Sequence, residues 1–389
     1  MGLTDALGRA AVRHAHVLLA EMPGYWTTRV AVERQVLARG WRIARSPGDA
    51  DILAVCGPPR PHLAQPLAQL WAQLPGPRAR IEVDSAPAVL FALDTAETHL
   101  RDTTAQRADG RDRSADHGGA GPGAHRQEPA PDGQGAMAQP EQAARAGPEH
   151  VDHGGMGHGA MDLTPAGIPL ACGGADRDGL ELDLLHLRLG PVLAYWPAGL
   201  VLRCTVHGDV IVDAETSLVG ADGSVAAAEE PDGRDDLRRF AARRCDNAAS
   251  LLGLAGWEDA AARARGIRDA LLFTTGPGPA AGELERLRRM VGRSWLLRWS
   301  LRRIGPLEAP ELTRLGLPAT MTGDVRDRLL AMLDRAAGSI AGHVMDQPRG
   351  TPIEAIPDLV RGWDIATARL IVASLDLDPL AADREVSRG

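Results

Sequence analysis

Residues 102–162 contain almost no large apolar side chain, and Asp, Gly, Ala, Pro, Gln and His dominate them. Such a stretch buries too little surface to offset the entropy lost on ordering. It reads as a disordered linker, and it divides the 389-residue chain into two parts that must each build a core. The expected organisation is an α/β domain over 12–101, the linker over 102–162, a β-rich hairpin region over 163–235, and a helical domain with a short α/β tail over 236–389.

Before the linker, strand and helix patterns alternate. HVLLAE (16–21) is a short apolar strand, and TRVAVERQVLARG (28–40) carries helical apolar spacing that ends at Gly40. A Ser46-Pro47 turn leads into DILAVCG (51–57), a continuous apolar run of the kind buried on both faces of a parallel sheet. HLAQPLAQLWAQL (62–74) places Leu63, Leu67, Leu70, Trp71 and Leu74 on one helical face, and RIEVD (80–84) returns as a strand. Strand–helix–strand at this spacing predicts right-handed crossovers in a flavodoxin-like parallel sheet.

After the linker the period changes to two. LELDLLHLRLG (180–190) and VLRCTVHGDVIVDAE (201–215) predict antiparallel strands, with HGD (207–209) as a hairpin turn and His207 as a turn residue. Helical spacing follows around Phe240–Leu252, Trp257–Leu271 and Leu284–Leu301, then over 324–345, and LIVASLDL (370–377) reads as a strand in the tail. The C-terminal part is thus expected to be α+β, a β-hairpin region plus a helical bundle.

The composition excludes several chemistries. The net charge of −8 opposes a dedicated nucleic-acid binder, which needs a basic face to displace counterions. All 43 cations are arginine, so Schiff-base, phosphate-loop and kinase-type lysine mechanisms are unavailable. Cys56, Cys172, Cys204 and Cys245 form no C-x-x-C pair, which reads as scattered thiols of a reducing compartment. No apolar run approaches the length of a membrane span, so membrane association is expected to go through a partner, without direct insertion. No Ser/His/Asp or Cys/His triad, G-x-G-x-x-G turn or paired-carboxylate motif emerges from spacing.

Two constellations remain. His150, His153, Met156, His158 and Met161 in HVDHGGMGHGAMD are ligands suited to copper or zinc, in a segment whose composition reads first as solvated linker. The stretch 283–304 carries Arg286, Arg289, Arg293 and Arg303 on the face opposite its leucines; with Trp295 and Trp299 it suits either a partner interface or a solvated amphipathic face, and Trp257 is an interface or core anchor.

SPGDADILAVCGPP and AQLPGPRARIEV, within 46–83, resemble the small quinone-module subunit of respiratory complex I in order and spacing: a Ser-Pro…Ala-Asp run into a hydrophobic strand, then a helix and a proline-rich turn. LGPVLAYWPAGLVLRCTVHGDVIVDAE (189–215) is similar to the opening hairpin of that subunit's partner, the large subunit related to nickel–iron hydrogenases. RRCDNAASLLGLAGWEDAAARARGIRDALL (243–272), GDVRDRLLAMLDRA (323–336), QPRGTP (347–352) and ATARLIVASLDLDPLAADR (366–384) follow that subunit's later motifs in the same order.

The departures fall on the chemistry. In the small subunit, tandem cysteines upstream and two more downstream bind the terminal iron–sulfur cluster; here EMPGYWTTRVAVE (21–33) has none, and Cys56 is the sole cysteine of this half. One thiolate cannot hold a cubane cluster. The quinone-contacting histidine loop of the large subunit corresponds to VLAYWPA (192–198), where Tyr195 is the only comparable donor, and SLVGADGS (217–224) stands in place of a His-Arg-Gly motif. The resemblance implies a fusion of two degenerate subunits: a non-catalytic accessory subunit of a bacterial NADH–quinone oxidoreductase, without cofactor. It would bind subunits of that enzyme on the cytoplasmic side of the membrane. The alternatives are an assembly or metal-handling maturation factor and an independent oxidoreductase-like metal-binding protein.

Overall fold

The computed structural model describes residues 12–118, 172–175, 181–219, 233–274, 278–343 and 353–378. Its first unit is a parallel sheet of β1 (His16–Glu21), β2 (Arg42–Ile43), β3 (Ile52–Cys56) and β4 (Ala79–Val83), in the order β2-β1-β3-β4. All five residues of β3 are buried. Alternate side chains feed opposite cores: Ile52, Ala54 and Cys56 pack with α1 (Trp26–Ala38) and α3 (Val89–Arg101), whereas Leu53 and Val55 pack with Leu63 and Leu67 of α2 (Pro61–Gln73). That division follows from topology. The chain moves from β1 to one edge and from β3 to the other, so right-handed crossovers place their helices on opposite faces. The doubly wound, flavodoxin-like unit expected from the apolar runs is what forms.

The expected linker begins with structure. Thr103–Gly118 forms helix α4, capped by Asp102, whose Oδ1 accepts from the Thr104 and Ala105 amides at 3.0 and 3.1 Å. Gln106 receives the Arg78 amide at 2.9 Å and donates back to the Arg78 carbonyl at 2.9 Å, and Arg78 reaches Asp109 through Nη2 at 2.8 Å. Polar residues can thus order a segment when one buried arginine offers them partners, which the apolar count over 102–162 could not reveal. The boundary moves from 102 to the end of α4; the ligand candidates His150, His153, Met156, His158 and Met161 lie outside the described residues.

The second unit opens with an antiparallel sheet of β5 (Cys172–Ala175), β6 (Glu181–Leu189), β7 (Leu200–His207) and β8 (Val210–Leu218), in that order. Gly208-Asp209 makes the two-residue turn, with His207 opposite Val210 and Gly208 at φ +62°. Helices α5 (Gly233–Leu254), α6 (Glu258–Phe273), α7 (Gly278–Arg293), α8 (Trp295–Leu301), α9 (Ala309–Leu315), α10 (Val325–Ile340), α11 (Ile356–Val360) and α12 (Ile365–Ser374) share one core with β7 and β8. α5 lies at its centre, against α6, α10 and α12.

Two expectations are corrected here. The arginine-bearing helix at 283–304 is two helices, because Ser294 leaves helical geometry (φ −65°, ψ 110°) and its hydroxyl accepts from the Leu297 amide, starting α8. LIVASLDL forms the end of helix α12 and the turn after it rather than a strand. Asp364 caps that helix at the Thr367 amide, and Ala368, Ile371, Val372 and Leu375 recur at helical spacing, all buried. A short apolar run fits helix and strand equally, and here the cap decides.

Candidate interdomain cleft and its buried ion network

The two units meet through charge. On α1, Arg29 and Glu33 stand four residues apart on a helix with no sidedness, because Thr28 and Glu33 are buried along with Val30, Val32 and Val36. Arg29 donates to Glu21 Oε2 through Nε at 2.9 Å, to Glu33 Oε2 at 2.8 Å and to Asp246 Oδ2 at 2.5 Å. Asp246 lies on α5 in the second unit. Arg268, from α6, is wholly buried and donates from Nη1 to Glu33 at 2.8 Å and to Asp246 at 2.6 Å. Two guanidinium groups and two carboxylates therefore alternate across the junction. Trp26 Nε1 adds a further bond to Asp246 Oδ2 at 2.8 Å, and Arg265 approaches Glu33 at 3.5 Å.

Burial by itself pushes the Asp246 carboxyl up, but Arg29 and Arg268 more than reverse this and hold it well below the usual carboxylate range. Glu33 follows the same logic: burial raises it, Arg268 and Arg29 lower it, and the net shift is downward. Both acids are ionised at neutral pH, so the junction is a locked ion network rather than a proton-exchanging site.

Beside the network a cleft of about 140 Å³ opens between the units. Leu19, Glu21, Ile43 and Arg45 line it from the parallel-sheet unit; the β6–β7 loop, Arg243, Asn247 and Ser250 line it from the other. The β6–β7 loop is firmly held. Trp196 Nε1 donates to the Leu200 carbonyl at 2.8 Å, and Arg369 Nη2 donates to the Ala194 carbonyl at 2.7 Å. Tyr195 occupies the left-handed backbone region at φ +58°, a conformation that costs a non-glycine residue about 1–3 kcal/mol. Its ring fits only because Gly253 faces it; a Cβ there would lie 2.8 Å from the Tyr195 Cζ. The hydroxyl donates to Glu258 Oε2 at a long 3.5 Å, and the Arg45 guanidinium lies 5.8 Å from the ring centroid. The cleft thus presents a phenol, arginines and an amide beside aliphatic walls, a mixed lining suited to a small amphipathic molecule.

Cys56 ends β3 opposite Glu21 of β1, at the point where the sheet order reverses. Ligands of open α/β sheets commonly enter at such a point. This thiol is unsuited to that role, being fully buried and raised well above the ordinary cysteine range by that burial. Cys204 and Cys245 are also free and buried, pushed up to about 11 and about 12 by desolvation. Cys204 is on β7 and Cys245 on α5, within the other unit's core. Among the described residues no group of three or more His, Cys, Asp or Glu could hold a metal ion. The three described thiols, Cys56 in one core and Cys204 and Cys245 in another, do not make a four-cysteine cluster.

Of the sequence-derived interface residues, Arg286, Arg289, Arg293, Trp295 and Trp299 are exposed on α7 and α8, and none lines the cleft. Trp257 is half-buried against the helical core. Tyr195 does face the cleft. Arg29, Glu33, Asp246 and Arg268 escaped sequence reasoning, although Arg29 and Glu33 at i, i+4 amid valines carried a readable signal: a charged pair on a helix with no solvent side. The chain matches no protein-family model, and no curated protein is significantly similar to it.

Proposed function

We propose that this protein is a non-catalytic accessory subunit of a bacterial NADH–quinone oxidoreductase, bound to the peripheral arm at its quinone module on the cytoplasmic side. The observation that carries this reading is the junction itself. Two units whose sequences resemble neighbouring subunits of that module close on each other through Arg29, Glu33, Asp246 and Arg268, while Cys56 is single and sealed in the core. The framework is retained without the thiolates a cluster requires.

A consequence follows for docking. The surfaces that separate subunits would offer each other are consumed inside this chain, so attachment to the enzyme uses another face. Among the described residues no helix is long and apolar enough to cross a membrane. Solubilising native membranes in a mild detergent and capturing the tagged full-length chain tests the proposal. Stoichiometric recovery of NADH–quinone oxidoreductase subunits supports it. A purified enzyme that never contains this chain, or a captured chain that carries a stoichiometric iron–sulfur cluster, overturns it.

A further inference from the structure

We propose that α8, together with the end of α7, binds the surface of an anionic lipid bilayer. Between residues 286 and 307 the chain has seven arginines and no acidic residue, within a protein of net charge −8. α8 is anchored from below by Leu297 and Leu301, both buried, and Ser294 fixes its first turn. Its outward face carries Trp295, Arg298 and Trp299, at i, i+3 and i+4, Arg302 follows at its C-terminal cap, and all four are exposed. Trp295 and Trp299 are 74% and 69% exposed, with Leu296 beside them at 63%. Large apolar groups grouped this way on a charged rim mark a docking surface.

Charge and shape select the occupant. Arg286 and Arg289 pair with Glu283 and Glu285 of their own helix, whereas among the described residues Arg293, Arg298, Arg302 and Arg303 make no side-chain ion pair. These unpaired guanidinium groups surround rings that are exposed and lie outside the interdomain cleft. Indole rings settle at the headgroup level of a bilayer, and arginine stems lie along apolar surface while their heads reach phosphate. At seven residues α8 is only about 10 Å long, so it lies on the bilayer rather than spanning it. The acidic remainder of the protein is repelled by the same surface, which orients the approach. This inference goes beyond the accessory-subunit reading and does not depend on it.

Co-sedimentation of the purified full-length chain with phosphatidylcholine vesicles, with and without phosphatidylglycerol, tests it. Binding is expected only to the phosphatidylglycerol vesicles and is expected to fall as salt is raised. R298A/R302A is expected to bind about thirtyfold more weakly, each cation near an anionic surface contributing about fivefold. W295S/W299S is expected to lose more than about tenfold, with an unchanged circular dichroism melt because both side chains are exposed. No binding by the wild type, equal binding to both vesicles, or undiminished binding by both variants overturns the inference. Capture of a detergent-solubilised acidic protein through these side chains, with no vesicle binding, also overturns it and assigns the patch to a protein partner. Failure here leaves the copurification test of the accessory-subunit reading standing, and the converse holds.

Discussion

The Arg268 guanidinium, with none of its side chain exposed, lies 2.6 Å from the carboxylate of Asp246, and both contact the Arg29–Glu33 pair of the other unit. Desolvating four charges is costly, and only their mutual pairing offsets it. Removing one leaves the others buried with an imbalance. Arg268→Ala or Asp246→Ala is therefore expected to destabilise the protein by about 3–5 kcal/mol, read as a lower urea midpoint. The double variant should lose clearly less than the sum of the single losses, because it removes two opposite charges together. Additive losses would show that the two groups do not couple.

The same network sets an acid limit. Asp246 and Glu33 are held below their unfolded values, so the stability they confer is fully present above the ordinary carboxylate range. It is lost as pH falls below about 5 and toward the depressed native values. Urea midpoints measured downward from neutral pH should fall in this window. Asp246→Asn, already destabilised at neutral pH, should show a shallower decline. An unchanged slope would assign the acid sensitivity to other carboxylates.

Much of this architecture was legible from side-chain spacing, and the failures share a cause. The parallel sheet followed from ILAVC, an apolar run too short for a helix and flanked by turn residues, and the hairpin followed from Gly208-Asp209 between β-branched runs. α4 was missed because its order comes from Arg78, 25 residues before its first residue, through Gln106 and Asp109. α12 was misread because Leu370–Leu377 is apolar enough for either period, and its distinguishing signal, the Asp364 cap, lies outside that window. Tyr195, which only the family resemblance singles out, does line the cleft. The assembled ion network is not legible in the sequence, since it joins three helices and its Glu33–Arg268 pair alone spans 235 residues.

The thiols give a chemical check on the absence of a reactive site at the end of β3. Cys56 and Cys245 are fully buried, with Cys245 pushed up to about 12 and Cys204 to about 11, and only the thiolate is nucleophilic. In a Cys172→Ser background, native protein at mildly alkaline pH should show no rapid reaction with a disulfide reagent, and urea should release all three thiols. A thiol that reacts rapidly in the folded protein would restore Cys56 or Cys204 as a candidate for redox chemistry.

The contact of α4 with Arg78 separates a structural helix from an incidental one. The Arg78 side chain is 5% exposed and stacks on Trp71 at 4.1 Å, so its guanidinium depends on internal acceptors. It has two kinds: the Trp71 carbonyl at 2.5 Å, and the Asp109 carboxylate, which Arg78 and Arg113 hold below its usual range. Asp109→Ala removes the charged acceptor and leaves the cation buried against a carbonyl, at a cost of about 1–3 kcal/mol. Gln106→Ala leaves the Arg78 backbone amide and carbonyl without the partners they have here and should cost a similar amount. A chain lacking residues 103–118 should lose both contributions and unfold at a correspondingly lower urea concentration. If that deletion melts like the wild type, α4 is peripheral to the fold and the unit ends where the sequence alone placed it, at residue 101.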